Sequence, residues 1–65
     1  MDALFTFSWD DLPGNCSAND AIRHWLKDNG YEWQYDSPGR IIAELDTGKY
    51  YLDHVGNGKV VAVRA

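Results

Sequence analysis

Residues 3–9 alternate with a period of two. Ala3, Phe5, Phe7 and Trp9 share one side, and Leu4, Thr6 and Ser8 share the other. Successive side chains of an extended chain point to opposite faces, so this pattern predicts a strand. Asp10 to Asn15, with Pro13-Gly14 inside it, predicts a loop. From there the period changes. Ala18, Ala21, Ile22, Trp25 and Leu26 fall at i, i+3, i+4, i+7 and i+8, the apolar stripe of a helix. Ser17 is a good N-cap, with Asp20 three residues on as the shorter acid of a capping box. Gly30 follows Asn29 where helices commonly close through a left-handed residue. A helix is expected over about 18–29.

The remainder reads as a meander of four strands. Tyr31, Trp33 and Tyr35 alternate with Glu32, Gln34 and Asp36. Apolar runs then lie at 41–45, 49–55 and 59–65, separated by Thr47-Gly48 and Asn57-Gly58. Turn chemistry sets the expected register. A three-residue Ser37-Pro38-Gly39 loop, with Gly39 left-handed, places Tyr35 opposite Ile41, Trp33 opposite Ala43 and Tyr31 opposite Leu45. A two-residue loop would slip the strands and mix the faces, so the three-residue form is preferred. A Thr47-Gly48 turn pairs Leu45 with Tyr50 and Ala43 with Leu52. An Asn57-Gly58 turn pairs His54 with Val61 and Leu52 with Val63. The inner face is then Tyr31, Trp33, Tyr35, Ile41, Ala43, Leu45, Tyr50, Leu52, His54, Val61 and Val63, to be covered by the helix stripe and the first strand. The expected fold is α+β and two-layered, one helix packed on an antiparallel sheet, in the order β-α-β-β-β-β, with residues 1–65 forming one domain.

The same register assigns Glu32, Gln34, Ile42, Glu44, Tyr51, Asp53, Val60, Ala62 and Arg64 to the opposite face. Glu32 then stands directly across from Glu44, and Asp53 across from Ile42. Like charges opposite one another on neighbouring strands are destabilising. Either the pair serves a binding surface, or Lys49 or Arg64 neutralises it on a solvated face. Tyr51 beside Arg64 is either a stacked surface pair or a contact residue. Asp28 falls in the last helical turn, where the helix dipole disfavours an anion. Asp10 and Asp11 lie at a loop mouth. These three acids are candidates for partner contact, with turn and capping chemistry as the alternative. The candidate partner-binding residues are therefore Glu32, Glu44, Asp53, Tyr51, Asp10, Asp11 and Asp28.

Charge gives these positions their interest. The chain carries ten acidic side chains against six basic ones in 65 residues, a net charge of −4. Residues 1–36 hold seven acids against Arg23 and Lys27, and residues 37–65 hold three acids against four bases. An acidic domain repels nucleic acid and is drawn to basic protein surfaces, and the same charge also serves solubility. A chain this short buries only about 60% of its unfolded surface. Three Trp, four Tyr and two Phe help to fill its core. Cys16 is the only cysteine, so no disulfide forms within the chain and a reducing compartment is expected. Without a continuous apolar leader or a membrane-length apolar run, the expected location is cytoplasmic, with no membrane partner.

No catalytic constellation stands out. His24 and His54 read as structural, and with Cys16 they give neither a nucleophile–base spacing nor a zinc spacing. Gly56-Asn57-Gly58-Lys59 lacks the following helix of a phosphate-binding loop. The aromatics are needed inside, and the charge has the wrong sign for a nucleic-acid platform. The expectation is a protein that is not an enzyme and uses no cofactor and no metal.

In kind, over its whole length, the chain resembles the small acidic anti-CRISPR proteins of phages and mobile elements, the type I inhibitors in particular. It is short, acidic and α+β, with no catalytic constellation and no shared motif. The resemblance implies a stoichiometric blocker or DNA mimic in the host cytoplasm, whose carboxylates stand in for phosphates on a basic channel of a CRISPR effector subunit. Two alternatives remain open: an antitoxin or immunity protein masking a basic nuclease, and a small adaptor whose acidity is incidental.

Overall fold

Helix α1 spans Ala18–Asn29. In the computed structural model, which describes residues 3–12, 14, 16–36 and 39–65, both helix ends close as the sequence expects. The Asp20 carboxylate accepts the Ser17 backbone N–H at 2.8 Å and the Ser17 hydroxyl at 3.3 Å. This is the acid half of a capping box. At the other end Gly30 takes φ 74°. Its N–H reaches the Lys27 carbonyl, and the Tyr31 N–H reaches the Leu26 carbonyl at 3.0 Å, a Schellman closure. The stripe buries Ala21, Ile22 and Leu26.

Among the described residues five strands form one antiparallel sheet: β1 (Phe5–Thr6), β2 (Trp33–Asp36), β3 (Arg40–Leu45), β4 (Gly48–His54) and β5 (Lys59–Arg64). Their spatial order is β1-β5-β4-β3-β2. The architecture is the expected two-layer α+β fold, with Ile22 and Leu26 of α1 meeting Ile41, Ala43, Leu52 and Val60 of the sheet in one core. Phe5 stacks on Trp25 at 4.7 Å between centroids, closing the seam between β1 and the helix. The β2–β3 register is as expected, with Tyr35 opposite Ile41 and Trp33 opposite Ala43. Gly39 is left-handed at φ 79°. Ser37 and Pro38, like Pro13 and Asn15, lie outside the described residues.

The first strand is shorter than its alternation. Ser8 Oγ accepts the Asp10 N–H at 3.3 Å and starts a 3₁₀ turn over Trp9–Asp11. Trp9 therefore leaves the apolar row and is 47% exposed. The strand also does not lie over the sheet. It joins the edge beside β5, with Phe5 opposite Val60.

Two turns shift the register. Between β3 and β4 the turn residues are Asp46 and Thr47, not Thr47 and Gly48, because Leu45 pairs with Gly48. Gly48 supplies φ 136° just after the turn rather than within it. The shift is by two residues, so every side chain keeps its face, but each has a new neighbour. Ala43 faces Tyr50 instead of Leu52, and Ile41 faces Leu52. Between β4 and β5 the shift is by one. Asn57 and Gly58 form the expected turn, both with positive φ, and the Lys59 N–H reaches the Gly56 carbonyl at 3.0 Å. The Lys59 carbonyl, however, accepts the Val55 N–H at 2.9 Å. Val55 and Gly56 thus stand together against Lys59, a one-residue bulge. His54 pairs with Val60 and Leu52 with Ala62, not with Val61 and Val63. The faces of β5 are therefore exchanged, with Val60 and Ala62 inward and Val61 and Val63 outward. Val60 is fully buried.

Candidate functional site

With α1 on one side, the sheet presents its other side outward, and the charged side chains of β2, β3 and β4 alternate onto that side. Glu32 precedes β2, and its carbonyl accepts the Glu44 N–H at 3.0 Å, so the two glutamates are direct cross-strand neighbours as expected. Glu44 is flanked on its other side by Lys49. Lys49 is adjacent to the pair, yet neither glutamate has an ion-pair or hydrogen-bond partner for its side chain among the described residues. Both are exposed. With Gln34, Ile42 and Lys49 they line a shallow depression of about 190 Å³.

Asp53 has a different environment from the one expected. The two-residue shift at the β3–β4 turn removes it from Ile42 and sets it opposite Arg40. Arg40 Nε donates to Asp53 Oδ1 at 3.0 Å, and Nη2 donates to Oδ2 at 2.7 Å, a bidentate fork. The guanidinium also lies over the Tyr51 ring, 3.9 Å from its centroid. Tyr51 is thus partnered by Arg40, not by Arg64, whose guanidinium lies nearer Tyr50 on the helix side. The Tyr51 hydroxyl donates to Asp36 Oδ2 at 2.6 Å, and Asp36 is itself paired across the sheet with Arg40. The hydrogen bond to Asp36 raises the Tyr51 pKa, and the Asp53 fork raises that of Arg40. In this Asp36–Arg40–Asp53 row the arginine answers Asp53 with its fork, and Asp36 accepts the Tyr51 hydroxyl, leaving the row one negative charge in excess.

Of the remaining candidates, Asp11 and Asp28 lie on the helix side. Asp10 sits exposed in the 3₁₀ turn. Asp11 and Asp28, distant in sequence, line one groove with His24 and Trp25. The structure therefore divides the seven candidates. Glu32 and Glu44 form an open acidic pair, Asp53 and Tyr51 belong to an ion-pair row with Arg40, and Asp11 and Asp28 line a groove on the opposite face. Sequence reasoning missed Arg40 as the residue that occupies Asp53. The available signal was register, because a turn placed at Asp46-Thr47 aligns the opposite charges of Arg40 and Asp53.

His54 is tied to the fold. Its Nε2 accepts the Gly58 N–H at 3.2 Å, and its ring packs near Phe7 and Trp9. Among the described residues no group of three or more His, Cys, Asp or Glu side chains is placed to hold a metal ion. No helix among them is long and apolar enough to cross a membrane. The arrangement on the sheet is suited to recognising positive charge. Comparison with known proteins finds no matching family model, no matching curated protein and no matching solved structure.

Proposed function

We propose that the protein is a small acidic inhibitor that binds a basic, nucleic-acid-binding protein surface and blocks it stoichiometrically. The observation that carries this reading is the Glu32–Glu44 pair. Two exposed carboxylates stand directly across neighbouring strands, beside the sheet edge and without side-chain partners among the described residues. Like charges directly opposite one another destabilise an isolated domain. A cation supplied by a partner turns that cost into a gain. Proteins that hold nucleic acid do so with Lys and Arg arranged for phosphates, and carboxylates on a rigid sheet compete for those groups.

The partner class is a CRISPR effector complex, on the strength of the likeness in size, charge and architecture to small acidic anti-CRISPR proteins. Displacement of target DNA from type I effector complexes tests this reading. The protein should compete with DNA at low salt and lose most of its effect at high salt, because the contact is largely electrostatic. Displacement of nucleic acid from a toxin nuclease alone would reassign the protein as an immunity factor.

A further inference from the structure

On the helix side, between α1 and the segment that runs from β1 into the 3₁₀ turn, lies an open groove of about 480 Å³. That is within the size range of ligand sites, roughly 300–1,000 Å³. Its floor is apolar, with Phe7, Leu12 and Trp25 contributing. Trp25 stacks on Phe5 and on Tyr31. Its rim carries Asp11 from the 3₁₀ turn and Asp28 from the last turn of α1, with His24 one turn before Asp28. Neither aspartate has an ion-pair or hydrogen-bond partner among the described residues. Asp28 also stands near the negative end of the helix dipole, where an anion is disfavoured. Two carboxylates thus line one largely apolar groove, and no described residue answers their charge.

We propose that this groove receives an arginine side chain from a protein partner, its stem along Leu12, Phe7 and Trp25 and its guanidinium between Asp11 and Asp28. Arginine fits better than lysine. Its head is weakly hydrated, so it enters an apolar groove at lower cost, and its planar fork can serve two carboxylates at once. An anionic ligand is opposed by both aspartates. The site lies on the opposite layer from Glu32 and Glu44 and stands or falls independently of them.

The test is an NMR titration of the full chain, following backbone amides and the Trp25 indole N–H. The probe is the blocked peptide Ac-Leu-Arg-Leu-NH₂, with the uncharged citrulline peptide of the same shape as control. The expected result is saturable shifts at Trp25, Leu12 and Phe7. Binding of the citrulline peptide should be about 10-fold weaker or worse, since charge-assisted hydrogen bonds contribute on that scale. The Asp11→Asn/Asp28→Asn variant should bind both peptides equally weakly while its own spectrum remains that of a folded protein. The Glu32→Lys/Glu44→Lys variant should bind the arginine peptide as the parent does. The absence of saturable shifts at the groove, or equal affinity for the arginine and citrulline peptides, would overturn the proposal.

Discussion

Charge at a single position has meaning here only together with its cross-strand neighbour. Glu32 and Asp53 are both acids on the outward face, but one faces a glutamate and the other an arginine fork. Reversing them should have opposite effects. Glu32→Lys places a cation across from Glu44 and should stabilise the fold by about 0.5 kcal/mol, or roughly 2–4 °C in Tm for a domain of this size. Asp53→Lys sets two cations together and should lower Tm, as read in the same thermal melts by circular dichroism. An equal response to both reversals would contradict the environments described. Apolar patterning did not separate these residues, because a two-residue shift of the turn after Leu45 keeps every face; only the opposite charges of Arg40 and Asp53 favour the observed register. Tyr51 provides a second check. Its hydroxyl donates to Asp36, which holds the phenol protonated to higher pH than in the unfolded chain. Because the folded-state pKa is the higher one, this contribution to stability is complete below the ordinary tyrosine pKa and fades as pH rises through the folded value. Ultraviolet titration of the folded protein should show late phenols, one fewer in the Tyr51→Phe variant than in the parent. Tyr31, bonded to Asp46 at 3.1 Å, is shifted in the same direction.

Local signals specified the elements far better than their joins. Helix α1 was legible to its ends because stripe, cap residues and closing glycine all point to the same twelve residues. The β2–β3 pairing was legible because only one register gathers the apolar side chains on one face. β5 was not, because Val60, Val61, Ala62 and Val63 are all apolar and either alternation provides a face. The Val55–Gly56 bulge then decides which is used. Deleting Gly56 should leave a plain two-residue Asn57-Gly58 turn closing on the Val55–Lys59 pair. The shortened chain should fold with Val60 still inward, as amide exchange and cross-strand contacts would show. An exchange of the β5 faces in that variant would refute the bulge. Gly58 is the more demanding glycine. It adopts φ 73°, and a Cβ there would run into the Phe7 carbonyl, while its own carbonyl accepts the Phe7 N–H at 2.8 Å. Gly58→Ala should cost more than about 1 kcal/mol, with the N-terminal strand losing amide protection first. Uniform loss of protection would show instead that β1 is not a separable edge.

For the molecule as a whole, the net charge of −4 is distributed rather than concentrated. Asp20 pairs with Arg23, Asp53 with Arg40, and Tyr31 occupies Asp46. Glu32 and Glu44 on the open sheet, and Asp11 and Asp28 across the molecule, are left without such partners among the described residues. The asymmetry between the two halves of the sequence does not survive folding, since Glu32 and Glu44 come from different halves and meet on adjacent strands. The central claim is that this meeting trades stability for binding to a basic surface. Its most direct measurement is competition between the protein and target DNA for a type I CRISPR effector complex, comparing the parent with Glu32→Lys/Glu44→Lys at low salt. The expected result is stoichiometric displacement of DNA by the parent and none by the double variant, which remains folded with an unchanged helix signal. Failure of the parent to displace DNA, or undiminished displacement by the double variant, would contradict the claim.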